Sequence, residues 1–425
     1  MDSVEIGSLG TLAEFGFTGG RDSIRPFAER VFAGPEPRFL QDQDGNLAVF
    51  RNADLQKLGA LPQIGNVPAG VLFGESLTRM DDPTPPLGAE VARVVANQVF
   101  TANPPIHRPV RKALVSRLGP KEVSAMRPVA EETVQQILDD LAPFGEIDVV
   151  SDVAERLTCG FWGRMLEMDA DEIVAMQAYT QDLTRLFHFD RNAEDYIVLD
   201  NAMRGYWRVI RAAAERSLRR GENLFVVALA DDLRRIDLPD DPDEAGIVPR
   251  DVGAMLAGNL IDGFHTAALG AANTLFALLK NPHALARVVA DRQLVTSAIF
   301  EALRIEPPVI HLPRWAMEEV IFAGVRIPRG AIVSLMWGIG GFDPAAVTDP
   351  LRFDLDRSRK GSTTFGGGQH ICPGRYVAVM LIEVLLDAVM ARGLTLTPGT
   401  AAPEWIPAHA MGQMERFPLR LAPAS

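Results

Sequence analysis

A mainly α-helical fold with a minor β region is predicted by three observations. Apolar residues recur at helical spacing through most of the middle of the chain. Strand-like runs are confined to one turn-bounded stretch near the N-terminus and to the last third. No Gly/Ser linker, low-complexity block or repeat interrupts the 425 residues, so a single domain over 1–425 is expected despite the length.

Taken in order, the first element is a hairpin. "RFLQDQDGNLAVF", residues 38–50, reads as two strands around an Asp-Gly-Asn turn, within a β-containing segment at about 36–52. Helical periodicity then predicts helices at roughly 108–118, 121–140, 150–167, 171–187, 194–219, 250–280 and 283–304. The stretch "DLPDDPDEAGIVPRD", 237–251, is rich in proline and acid and reads as a loop. Strand-like pieces return within 306–352 and 395–423. Between them "RYVAVMLIEVLLDAVMARG" is apolar over most of its circumference, so 375–392 reads as a buried helix.

Composition narrows the function. With 42 basic against 55 acidic residues the net charge is −13, which argues against general nucleic-acid binding. Two cysteines, Cys159 and Cys372, are too few for a disulfide framework, and no CxxC pair exists to hold zinc. The N-terminus lacks a basic signal region, and no apolar run reaches the length of about 18 residues that spans a membrane. A soluble, cytoplasmic, monomeric chain is expected.

The chemistry centres on "FGGGQHICPG", residues 365–374. Cys372 lies where a glycine-rich loop enters a helix, and there free N–H groups and the helix dipole favour a thiolate. Such a thiolate is either a nucleophile or a metal ligand; the remaining alternative is an inert buried cysteine. A dinucleotide fingerprint fails because position 371 is isoleucine, and a P-loop fails for lack of its GK[ST] ending. A cysteine hydrolase needs a histidine base, and His370 is too close in sequence to wrap round and serve. Cys159, in "ERLTCGFWG" on an apolar helix, reads as core packing.

The whole pattern is more specific than the cysteine. Phe365, Gly366, Gly368, His370, Cys372 and Gly374 fit FGxGxHxCxG, which resembles the haem-binding loop of the cytochromes P450, most nearly the soluble bacterial members. Four further matches stand in the family's order. "EALR" resembles the ExxR pair, with Glu301 and Arg304; "DPLRFDLDR" resembles the PxRFxxxR segment, with Arg352 expected to complete a buried structural network. "PPIHRPVRK" resembles the helix that carries His107 and Arg111 toward the haem propionates, and "DGFHT", 262–266, falls at the distal helix. An ExxR alone carries little, since charge pairs at i,i+3 decorate many helices; five ordered matches across 103–374 carry much more.

What the resemblance implies is a P450 fold with haem b (iron protoporphyrin IX) buried between a distal helix and a proximal cysteine loop. Cys372 becomes the iron ligand, and His107, Arg111, Gly263, Arg314, Phe365, His370 and Gly374 become cofactor contacts. Pro373, lacking an N–H, removes one donor that would soften the thiolate. The distal helix departs from the family. Thr266 takes the threonine position beside the oxygen-binding site, but the acid before it is replaced by His265, and the small residue one turn earlier by Asp262. Asp262 and Thr266, at i,i+4, share a face. Asp262 then either relays protons, pairs with a polar or cationic substrate group, or is turned aside into a local hydrogen bond; His265 either relays protons or faces elsewhere.

By the same resemblance, segments 68–79, 181–190, 307–312 and 409–413 line a substrate pocket together with the distal helix. Val71, Phe73, Phe187, Phe189, Asn259, Val309, Ile310 and Met411 are its expected walls. The implied reaction is insertion of one atom of O2 into a small, largely apolar organic molecule. No flavin or iron–sulfur motif is present, so electrons would come from NAD(P)H through a ferredoxin reductase and a ferredoxin. That acidic partner would dock on Arg108, Lys112, Arg117, Arg357, Arg359 and Lys360. Two alternatives stay open: a peroxide-using or non-hydroxylating haem-thiolate oxidase, and a non-catalytic haem-thiolate ligand- or gas-binding protein.

Overall fold

The longest apolar helical stretch in the sequence becomes the axis of the molecule. Residues 3–236 and 252–423 are described by the structure, a computed structural model, and the expected loop 237–251 lies outside them. Helix Val252–Lys280 is buried along nearly its whole length. Around it pack Ala193–Arg220, Glu155–Met165, Val295–Ile305 and Arg375–Ala391. A helix apolar all round is stable only when neighbours cover every face, and the main core cluster provides them. Small residues let the neighbours close in: a Cβ at Gly258 would lie 2.6 Å from the backbone of Asn97, so the 96–98 segment lies directly against this helix.

Most expected helices are present, with displaced ends. Two open on capping boxes that satisfy free N–H groups reciprocally, Asp169 with Glu172 before Ala170–Asp182, and Asn192 with Asp195 before Ala193–Arg220. The helix expected over 171–187 ends at Asp182 and tightens into a 3-10 turn over Leu183–Phe187. The one expected over 150–167 opens with a π-helical turn, Val149–Ala154. The stretch 283–304 is two helices, Pro282–Ala290 and Val295–Ile305. Asp291 breaks it by taking an extended backbone and accepting the N–H of Gln293 at 3.0 Å, the local competition that makes aspartate a poor helix-interior residue. Short helices such as Ile24–Val31, Asn52–Leu58 and Ala89–Val95 span about two turns, too little for a periodic signal. Leu224–Arg234, opened by the side chain of Asn223, was equally unforeseen.

The β region gathers both ends of the chain, as expected. The hairpin forms between Leu40–Gln41 and Leu47–Val49; Asp42 accepts the N–H groups of Asp44 and Asn46, and Gly45 supplies a φ of 77°. A five-stranded sheet runs in the order Leu40–Gln41, Leu47–Val49, Ile332–Leu335, Leu312–Ala316, Ile64–Gly65. Leu47–Val49 pairs parallel with Ile332–Leu335, and the other neighbours are antiparallel. The C-terminal strand Pro418–Pro423 lies between Leu394–Pro398 and Glu146–Asp148, a pairing partner outside the expected segments.

Candidate active site

The cysteine loop is held by backbone geometry. The N–H of Cys372 donates to the Phe365 carbonyl at 2.9 Å, closing the loop on itself. Gly366 and Gly368 take φ values of 72° and 63°, in the left-handed region that favours glycine. A side chain at Gly368 would also stand 2.3 Å from the Gly59 carbonyl oxygen. Helix Arg375–Ala391 starts three residues after the cysteine, and the N–H of Gly374 points at the sulfur. Burial nevertheless pushes the Cys372 thiol up, aided by Asp262 and opposed by that N–H, Arg111 and Arg375. The Gly374 N–H, Arg111 and Arg375 favour the thiolate, as the loop-to-helix position leads one to expect, and burial opposes them. A metal cation at sulfur would deprotonate it outright.

Beside the loop, four basic side chains converge, and among the described residues none of them is ion-paired with an acid. His107 and His370 have ring centroids 4.6 Å apart, and the Nε2 of each is buried with no partner. Arg314, on strand Leu312–Ala316, is buried over the Phe100 ring and donates to the carbonyl of its neighbour Pro313 at 2.8 Å. Arg111 donates to the Ile371 carbonyl. Burial, then the positive charges of Arg111 and Arg314, hold His107 down to about 4. Burial, then Arg314, His107 and Arg111, hold His370 down to about 2. Burial and Arg111 lower Arg314 to about 10. Buried polar atoms are ordinarily paired. Orphaned donors among mutually repelling cations are what a group with two carboxylates would satisfy, so these residues fit the propionate edge of a haem.

On the central helix the two departures from the family pattern separate. Asp262, Thr266 and Cys372 are each half-buried, and the Asp262 carboxyl is near enough to Cys372 to act on its thiol. The Thr266 hydroxyl donates to the carbonyl of Asp262 at 2.7 Å, one turn back. Burial pushes the Asp262 carboxyl up to about 7 despite a hydrogen bond from Gln98. His265 instead turns to the rear. It stacks on Phe187, with centroids 5.0 Å apart and rings 11° from parallel. It also lines a small cavity of about 20 Å³ with Thr158, Thr180 and Gln413. Burial, then His409, lower it to about 3, so it stays neutral. The Cβ direction of Gly263 points at Trp162, 3.5 Å from its indole nitrogen.

Glu301 and Arg304 form the buried pair expected of them, at 2.7 and 2.8 Å. The third arginine is a correction. Arg352 turns outward, 66% exposed, and pairs with Asp354 at 2.9 Å; only its carbonyl joins the network, accepting from Arg304 at 3.1 Å. Arg357, 13% exposed, takes the place with contacts to Glu301 at 3.0 and 3.2 Å. It is the last arginine of the same "DPLRFDLDR" segment. Arg357 is thereby removed from the expected docking set, and Arg117 is engaged with Asp232 at 3.1 Å. Arg108, Lys112, Arg359 and Lys360 are exposed.

The expected pocket walls divide. Phe187 and Phe189 stand beside His265 and His311, and Val309 bridges Met411 where the 307–312 segment meets the C-terminal turn. Ile310 is wholly buried in the N-terminal core with Phe17 and Phe27, so it is packing rather than wall. Val71 is exposed, and Phe73 packs against the main core. Asn259 spends its amide on the neighbouring segment, accepting from Val99 N–H at 3.0 Å and donating to the carbonyls of Asn97 and Met255. Gln98 carried no motif and was missed; it becomes adjacent to Asp262 only through that tertiary packing.

Comparison with known proteins agrees with this geometry. A cytochrome P450 family profile matches residues 229–400. The chain is 28% identical over 301 residues to a putative cytochrome P450 133B2 of Xylella fastidiosa, covering 70% of this chain and 73% of that one. It is likewise 28% identical over 349 residues to the 6-deoxyerythronolide B hydroxylase of Saccharopolyspora erythraea, covering 78% and 80%. The structure of epothilone B-bound cytochrome P450epoK superposes with a TM-score of 0.79 at 20% identity, over 94% of this chain and 96% of that one.

Proposed function

This chain belongs to the cytochrome P450 monooxygenase family, and from that premise we propose that it oxidises a small, largely apolar organic molecule with O2 and electrons from a separate redox partner. The observation that carries the reading is the pairing of the Cys372 loop with a cradle of two arginines and two histidines whose buried ring nitrogens lack partners. The family's cofactor is haem, here haem b; with a thiolate ligand it supplies O2 activation, because the thiolate pushes electron density to the iron and favours O–O cleavage.

The chain's own residues bind, orient and exclude. Cys372 is the sulfur ligand, and Gly374 offers its N–H to that sulfur while Pro373 withholds one. His107, Arg111, Arg314 and His370 hold the propionates, and the glycines of the loop let the backbone approach the ring edge. Phe365, edge-to-face with Phe300 at 5.7 Å, backs the loop. Thr266 places a hydroxyl on the helix face it shares with Asp262 and positions protons there. Apolar side chains from the 181–190 and 307–312 segments help to exclude bulk water from the distal side.

Electrons arrive at the opposite face. A cleft of about 630 Å³ there is lined by Phe300, Phe365 and Tyr376, with Arg127, Arg359, Arg375 and Glu383 around them, Glu383 paired with Arg127 at 2.8 Å. Its charge suits an acidic ferredoxin served by its own reductase. Among the described residues no helix is long and apolar enough to cross a membrane, in keeping with a soluble partner and a cytoplasmic setting. The test is turnover of the haem-loaded chain with a ferredoxin and reductase under labelled dioxygen, using ligands that shift the haem spin state. One labelled oxygen atom in the product supports the reading; label drawn only from water refutes it.

A second reading has its own observation. His265 stands where the family carries an acid, yet it is neutral, stacked and turned to the rear. Direct use of hydrogen peroxide, which brings its own protons, would need no acid there. Peroxide-supported turnover exceeding the ferredoxin-supported rate would favour this reading over the first.

A further inference from the structure

We propose that Asp262, held by Gln98, anchors a cationic amine of the substrate, so that the molecule oxidised is largely apolar with one basic nitrogen. The proposal rests on the monooxygenase reading above and deepens it at the same site.

Three features of the fold build this anchor. The carboxylate is half-buried one helical turn from Thr266, on the same face, and near Cys372. Its orientation is fixed from outside the helix. Gln98 is buried and hydrogen-bonds it, and the segment bearing Gln98 is pinned by Asn259 on both sides, through Val99 N–H and the Asn97 carbonyl. Gly258 permits that approach, since any side chain there would strike Asn97. A side chain supported by a second layer in this way is suited to set ligand geometry.

The third feature is the missing counter-charge. Among the described residues Asp262 has no ion-pair partner, and its one hydrogen-bonding side chain is a neutral amide. The titratable groups that face it are Tyr206 on helix Ala193–Arg220 and Cys372 below. Tyr206 donates its hydroxyl to the Ala257 carbonyl at 2.8 Å, so it does not serve the carboxylate. Burial raises Asp262 to about 7, so near neutrality it is poised between forms, and a ligand cation favours the charged one. A carboxylate here, with a thiolate at Cys372 when haem is bound, would disfavour an anionic ligand. Isolated buried charges are costly and are ordinarily paired; here the ligand brings the partner.

The experiment compares two probes on the haem-loaded full chain: 4-phenylbutyl-trimethylammonium and its uncharged tert-butyl isostere. The quaternary nitrogen keeps its charge at every pH and cannot ligate iron. Binding is read calorimetrically and by the spin-state change, neither of which needs turnover. At about pH 8 the charged probe should bind at least about tenfold more tightly than the isostere. That preference should weaken as the pH is lowered and the carboxylate takes up a proton. Asp262→Asn should abolish both the preference and its pH dependence while the isostere binds as before. Equal affinities in the wild type, or a preference that survives Asp262→Asn, overturns the proposal. Loss of coupling in Asp262→Asn with the preference intact also overturns it, and makes the residue a proton relay. Failure of the monooxygenase reading is seen separately, as loss of the thiolate signature in the reduced carbonyl spectrum of the wild type.

Discussion

Replacing Arg357 by alanine should destabilise the protein far more than replacing Arg352. Glu301 is 4% exposed and holds four donors: two nitrogens of Arg304, the Nε of Arg357 and the N–H of Asp354. Arg357→Ala leaves the carboxylate with Arg304 alone as counter-charge and removes one charge-assisted hydrogen bond, worth about 1.5–3 kcal/mol. The guanidinium also donates to the carbonyls of Asp349 and Arg352, which tie down the turn before the haem loop. A total loss of about 3 kcal/mol follows, at the lower edge of the range for breaking a buried pair. The Arg352 side chain is solvated and pairs only with Asp354, so Arg352→Ala should leave stability within error. Urea unfolding of both variants, followed by far-ultraviolet dichroism with haem absorbance in parallel, measures the difference. Equal midpoints for the two variants, or a larger loss in Arg352→Ala, would refute the assignment.

Other perturbations have distinct signatures. Arg314→Leu removes one of the mutually repelling buried cations, so haem should dissociate faster while the apoprotein is no less stable to urea. Gly368→Ala should abolish haem incorporation, because its Cβ would strike the Gly59 carbonyl and its φ of 63° is strained for alanine. Pro373→Leu restores an N–H near sulfur and should raise the haem reduction potential; an unchanged or lowered potential with the fold intact contradicts that role. His265 and His409 are depressed by burial to about 3 and about 4, so the unfolded chain binds more protons and stability falls as pH drops below about 6.5. His265→Phe should reduce the slope of stability against pH between about 5 and 6 by close to one proton.

What was legible in the sequence depended on how locally each feature is encoded. The hairpin at 40–49 needs only its Asp-Gly-Asn turn, and the central helix only its own apolar pattern. The loop of Cys372 was equally plain, since positive φ demands glycine at fixed positions. The choice between Arg352 and Arg357 was not, because both sit in one short segment and only the turn over Asp349–Arg352 decides which guanidinium reaches Glu301. The rearward turn of His265 depends on Phe187, far off in the chain, and Gln98 reaches Asp262 through the packing of a distant segment on Gly258. The opposition of burial to the Cys372 thiolate was illegible for a related reason. A helix end is visible in sequence, whereas the depth of burial that opposes it is not.

The most direct test of the central claim is the reduced carbonyl spectrum of the haem-loaded chain and of its two cysteine variants. Cys372 as the sulfur ligand requires that the wild type and Cys159→Ser both show the long-wavelength band of a thiolate-ligated haem. Cys159 is buried in the core against Thr180, remote from the loop, so its loss should not move that band. Cys372→Ser should lose the band entirely while retaining the far-ultraviolet signature of the fold. A band that survives in Cys372→Ser, or that disappears only in Cys159→Ser, would contradict the assignment of the ligand and the function built on it.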